Sequence, residues 1–152
     1  MTTETFQVEI RAAGTSLVGT AVRYNTPALV NGRRESFVPA AFGRLPDIRL
    51  NLQHSDQVVS DAIEWADSPE SLDFVAHRVQ PGVLRLVERG ALQGASVEMR
   101  VSDDLLEGDM RTIRRAELVG LSVVDRPAHP GSRVETREAS DQEELDLIGA
   151  VL

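Results

Sequence analysis

A serine hydroxyl becomes a nucleophile at neutral pH only beside a base, most often an imidazole that a third group holds in place. The stretch Gly90-Ala-Leu-Gln-Gly-Ala-Ser96-Val-Glu-Met-Arg100 has a layout that could present one. An apolar segment from Pro81 to Arg89 ends on Gly90, a second glycine follows at 94, and Ser96 opens an alternating run. The two glycines allow tight backbone geometry, which places the Ser96 hydroxyl at the exposed start of a strand. The same pattern also describes a helix cap followed by a turn serine. Three histidines are candidates for the base. His54 ends the stretch Leu50-Asn-Leu-Gln among polar neighbours, where a side chain faces solvent and a cleft. His77 lies inside an alternating segment and reads as a satisfied structural residue. His129, between Pro-Ala and Pro130, reads as a surface turn residue.

Composition removes other chemistries. Cysteine is absent, which excludes disulfides, thiolate metal sites and a cysteine nucleophile. All 16 basic residues are arginine, which excludes a lysine base or a Ser-Lys dyad. A net charge of −8 argues against general nucleic-acid binding, where phosphates need clustered cations. No apolar run approaches the roughly 20 residues of a membrane span, and the N-terminus lacks the basic start and apolar stretch of a secretory signal. A soluble intracellular protein is the expectation. Scattered histidines and an acidic tail without calcium-loop order give no metal site, and phosphate-loop and dinucleotide fingerprints are absent. No cofactor and no metal are expected.

The elements that must position the candidates are mostly strands. Phe6–Arg11 and Ser16–Tyr24 alternate, with Gly19 as an expected bulge. Residues 25–34 read as a loop, 35–38 as a short strand, and 39–43 as a helical turn between proline and glycine. Ile48–Gln53 is a strand that delivers His54. Strands over 58–65 and 72–78 follow, then the only convincing helix, Pro81–Gly90, with Val83, Leu84 and Val87 on one face. Ser96–Val101 and Arg111–Ala116 form a hairpin around the acidic loop Asp103–Asp109, and Glu117–Val124 is the last core strand. The pattern predicts a mainly β (α+β) fold, a small closed or nearly closed antiparallel β-barrel with one or a few short helices. The expected division is a barrel domain at 1–131 and an acidic, flexible tail at 132–152. That tail is rich in carboxylates from Glu135 to Asp146 and ends in Leu145–Leu152, a candidate short helix or partner peptide.

Six motifs in order, VGTAVRYN, ESFVPAAF, LNLQHSD, LDFVAHRV, RGALQGAS-VEM and GLSVVDRPAHPGS, cover most of the chain from Val18 to Ser132. Together they resemble the prohead (capsid maturation) proteases of tailed phages with an HK97-type head, serine proteases related in fold to the herpesvirus assemblins. The resemblance implies an assemblin-like barrel with Ser96 as nucleophile and His54 as general base. It implies an endopeptidase inside the immature capsid in the host cytoplasm, which cuts the scaffolding segment of the major capsid protein and itself. By analogy with the assemblins it also implies a homo-oligomer, a dimer. Neither nucleic acid nor membrane is an expected partner.

One position departs from the family's pattern. The acidic residue expected two positions before Ser122, on the last core strand, is Gly120 here. Alternation turns Glu117 to the other face from Gly120. Glu98 lies two residues after Ser96 on the same strand face, roughly 7 Å away, and a glycine opposite leaves it room. It is the candidate orienting acid. Backbone amides at Gly94–Ser96 are candidates for oxyanion support, as is Arg126, since the assemblins use an arginine after the equivalent strand. The alternatives are a Ser-His dyad, a catalytically silent barrel serving as a scaffold or capsid-assembly module, and a cellular protease of the same fold acting on another protein shell.

Overall fold

A computed structural model of the chain describes residues 3–13, 15–125 and 134–136. In chain order its strands are β1 (Thr3–Ala13), β2 (Ser16–Arg23), β3 (Ala28–Val30), β4 (Arg33–Phe37), β5 (Leu50–Leu52), β6 (Val58–Ser60), β7 (Ala62–Asp67) and β8 (Ser71–His77). The helix α1 (Pro81–Glu88) follows, then β9 (Gly94–Glu107), β10 (Met110–Val124) and β11 (Val134–Thr136). The strands hydrogen-bond in the order β3-β4-β10-β9-β1-β2-β8-β7. The mainly β expectation holds, and among the described residues the order runs from β3 to β7 without rejoining, so the expected closure of the barrel is not seen. Nor is the pairing wholly antiparallel, because β4 and β5 lie parallel to β10, and β11 lies parallel to β1.

The alternating patterns do what their period dictates. Along β8, Leu72, Phe74 and Ala76 are fully buried while the residues between them are half-buried. Along β9, Ala95, Val97 and Met99 point into the core, joined across the sheet by Leu118, Leu121 and Val123 of β10. Proline at the first turn of α1 supplies a fixed φ where the amide would be unpaired anyway. Val83, Leu84 and Val87 bury against the core, each worth roughly 1.5–3 kcal/mol of removed apolar surface. Gly90, at φ +77, takes the left-handed conformation that ends the helix. At the other end of the fold, Tyr24 donates to Asp67 at 2.5 Å and ties the end of β2 to β7. Burial first, and then that carboxylate, pushes the phenol above its ordinary range.

Several boundaries move. The expected loop at 25–34 contains β3, which forms a hairpin with β4. The expected helical turn at 39–43 is a run of turns with Ala40 at φ +59 and Gly43 at φ +55. The acidic stretch Asp103–Asp109 is largely strand, with β9 and β10 forming one long hairpin that turns at Gly108. In β2 the irregularity falls between Thr20 and Val22 rather than at Gly19. Within the expected tail, Val134–Thr136 pairs with Ile10–Ala12 of β1. The expected terminal segment Leu145–Leu152 and the turn at His129 lie outside the described residues.

Candidate active site

Glycine 94 through Arg100 belong to a strand flanked on both sides, by β1 and by β10. Because Ala95, Val97 and Met99 face the core, Ser96 and Glu98 share the other face of β9. Their cross-strand partners are Ser122 and Gly120. That register depends on an irregularity between Leu118 and Gly120, which inserts Val119 as an extra residue. The bulge also corrects the expectation for Glu117. It pairs with Arg100, two residues beyond Glu98 on β9, and so stands on the same face as Gly120. Its carboxylate lies 3.9 Å from the Arg100 guanidinium, so Glu117 is turned toward Arg100.

The third strand of the site is short. β5 runs beside β10 with Asn51 in register with Ser122, and ends at Leu52. The next two residues, Gln53 at φ +52 and His54 at φ +57, are both left-handed without being glycine. Each such residue costs roughly 1–2 kcal/mol, and the surroundings determine the turn several times over. Gln53 N donates to Val123 O at 2.8 Å and Ser55 N to Leu52 O at 2.8 Å. The Gln53 side-chain oxygen accepts from Asp125 N at 3.0 Å, and Ser122 Oγ accepts from His54 N at 3.2 Å. This turn swings the imidazole of His54 back over the face that carries Ser96 and Glu98.

There His54 Nδ1 meets Glu98 Oε1 at 2.8 Å. An ionised carboxylate only accepts, so Nδ1 carries a proton, and in the neutral imidazole this leaves the lone pair on Nε2, the tautomer a general base requires. Each side chain is about one-third exposed, at 36% and 34%, so solvent screening keeps the pair's contribution to stability small and its main effect is orientation. Gly120 makes the arrangement sterically feasible. A Cβ at that position would lie 3.2 Å from both Cδ and Oε2 of Glu98 and 3.3 Å from its Cβ. The glycine is therefore the space that the acid occupies.

Ser96 departs from expectation. It is the third residue of β9, not the exposed start of a strand, and its side chain is fully buried. Its Oγ has no hydrogen-bond partner among the described residues, so the bond to His54 is not made in this structure. A buried hydroxyl without a partner is uncommon, and catalytic bonds are commonly long before substrate arrives. The amides of Gly94–Ser96, expected as oxyanion donors, point along a sheet paired on both sides and are committed to it. Arg126 lies outside the described residues. Sequence reasoning missed Ser122 and Gln53 as contacts of the histidine turn. A run of non-glycine residues gives no hint of left-handed backbone. Among the described residues no group of His, Asp and Glu is placed to hold a metal ion.

A family model described as Caudovirus prohead serine protease matches residues 71–146, half of the chain. The chain belongs to that family. No curated protein and no solved structure matches it. The match to the prohead serine proteases contains Ser96, Glu98, Gly120 and Ser122 but begins after His54. His54 therefore enters the site on separate grounds, the 2.8 Å contact with a residue inside the matched span. Membership brings serine peptidase chemistry and a role in phage capsid maturation. No helix among the described residues is long and apolar enough to cross a membrane.

Proposed function

We propose that this prohead serine protease is a Ser-His-Glu endopeptidase with Ser96 as nucleophile, His54 as general base and Glu98 as the orienting acid. The observation that carries the reading is the His54–Glu98 hydrogen bond across from the gap at Gly120. As Ser96 Oγ bonds to the carbonyl carbon of the scissile peptide, its proton passes to His54 Nε2, and Glu98 stabilises the imidazolium through Nδ1–H. The imidazolium then protonates the departing amine. Water, deprotonated by the same nitrogen, hydrolyses the acyl-enzyme and frees Ser96. Arg126 is the proposed source of oxyanion support, since the expected backbone amides are committed to the sheet.

The proposed substrate is the scaffolding segment of the major capsid protein together with this chain itself, cut inside the prohead within the host cell, with the protease acting as a homo-oligomer. Co-expression with a major capsid protein that carries its scaffolding segment, comparing wild type with Ser96→Ala, tests substrate and chemistry on one gel. Loss of the cleaved capsid band only in the variant is the expected result, and cleavage that persists in Ser96→Ala would sink the assignment.

The burial of the unpartnered Ser96 hydroxyl favours one competing reading, a silent fold retained as a capsid-assembly module. A fluorophosphonate probe separates the two. Covalent labelling at Ser96 supports the protease, and a chain that assembles with capsid protein but never reacts supports the module.

A further inference from the structure

A row of polar side chains crosses the sheet on the face turned away from the aliphatic core. Asn51 of β5 is in register with Ser122 of β10, which is in register with Ser96 of β9. The residues that precede and follow them along the strands, Leu50 with Leu121 and Val97, and Val123 with Ala95, turn to the opposite face and belong to the core cluster. At both ends of the row a buried oxygen lacks a hydrogen-bond partner among the described residues, Asn51 Oδ1 and Ser96 Oγ. The residue between them, Ser122, is 2% exposed, and its Oγ is spoken for as the acceptor of the His54 amide at 3.2 Å. Its hydroxyl proton can turn toward either end.

From this arrangement we infer that Ser122 is a positioning residue that couples the base to the nucleophile. Its hydroxyl fixes the left-handed His54 backbone so that Nδ1 meets Glu98, and it stands directly opposite Ser96, with Cβ atoms roughly 4.5–5.5 Å apart. The Gln53 side chain, which holds the Asp125 amide at 3.0 Å, secures the other half of the same turn. Residues in sparsely populated backbone regions persist where their surroundings over-determine them, and such sites cluster where function needs a fixed geometry. Without the Ser122 oxygen the His54 amide loses its acceptor, and the turn has a less strained alternative that carries the imidazole away from Glu98. The consequence for catalysis rests on the protease reading; the consequence for His54 does not.

The test uses the full chain as wild type, Ser122→Ala, Ser122→Thr and Gln53→Ala. The first readout is the imidazole NMR signature of His54, assigned with His54→Gln. The wild type is expected to show a downfield, exchange-protected Nδ1 proton bonded to Glu98. Ser122→Ala should lose that signal while Ser122→Thr, which keeps a hydroxyl, retains it. The second readout is the rate of fluorophosphonate labelling at Ser96 against pH. Ser122→Ala is expected to slow it by about 10- to 100-fold, the penalty for a catalytic group displaced by about 1 Å, and to shift its pH profile. Ser122→Thr should restore most of the rate. Gln53 is exposed, so Gln53→Ala is expected to fold and to show a smaller change in the same direction. An unchanged His54 spectrum in folded Ser122→Ala overturns the inference, as does an unchanged labelling rate and profile. A wild type that never labels refutes the protease reading instead, and the NMR comparison still decides the role of Ser122.

Discussion

Two sets of serine, histidine and glutamate come together in this fold, and only one is the proposed active site. On the sheet formed by β2, β8 and β7, Ser16 Oγ lies 3.4 Å from His77 Nδ1, and Glu64 Oε1 lies 3.1 Å from His77 Nε2. On β9 and the turn after β5, His54 meets Glu98 at 2.8 Å, with Ser96 on the same strand face as the acid. By residue type and rough distance the first set is the more complete. Three differences separate them. Glu64 is 73% exposed, and although its oxygen is close to His77 Nε2, that nitrogen has no aligned hydrogen bond. Glu98 is half as exposed and sits in a gap left by a glycine. His77 lies in a regular strand, whereas His54 is held in a left-handed turn by a backbone bond to Ser122. Proximity of the right groups is common on a sheet. Orientation set by the backbone and by shielded neighbours is rare, and it is what a nucleophile needs.

Substitutions in both clusters test this difference, with fluorophosphonate reactivity as the common measure. Ser96→Ala is expected to abolish labelling altogether, while Ser16→Ala leaves it intact; the reverse result would exchange the two sites. His54→Gln should slow labelling by roughly 1000-fold or more, because the hydroxyl loses its base. Next in size is Glu98→Gln, expected to cost roughly 100-fold or more, since an amide can donate to Nδ1 and favour the wrong tautomer. A Glu98→Gln protein that reacts at the wild-type rate would leave a dyad. Gly120→Ala should produce a smaller loss, about 3- to 10-fold. Its methyl group would lie 3.2 Å from a carboxylate that must give by a few tenths of an ångström beside His54. His77→Gln and Glu64→Gln are expected to stay within about twofold in rate, and the exposed Glu64→Gln to change stability by about 0.5 kcal/mol or less.

Much of this site was legible in the residue order. A strand has period two, so Glu98 had to share a face with Ser96, and the glycine at 120 announced a vacancy across from it. Two features could not be read that way. A bulge adds one residue without any compositional mark, and Val119 reverses the face that simple alternation gives Glu117. Left-handed backbone at Gln53 and His54 is imposed by hydrogen bonds to residues about seventy positions away, Ser122, Val123 and Asp125. The strand through Ser96 was evident, but not its burial, because cover depends on which distant segments lie over that face. Whether the sheet closes could not be read for a related reason. Short strands with turn signals show how many strands exist but not whether the first and last meet.

The placement of Glu98 against Gly120 also constrains how such a site changes over generations. The acid and the gap are directly opposite across two strands, so each could in principle trade places with the other. No single step achieves that. Gaining a carboxylate at 120 first would crowd two anions into space for one, and losing Glu98 first would leave the imidazole unsupported.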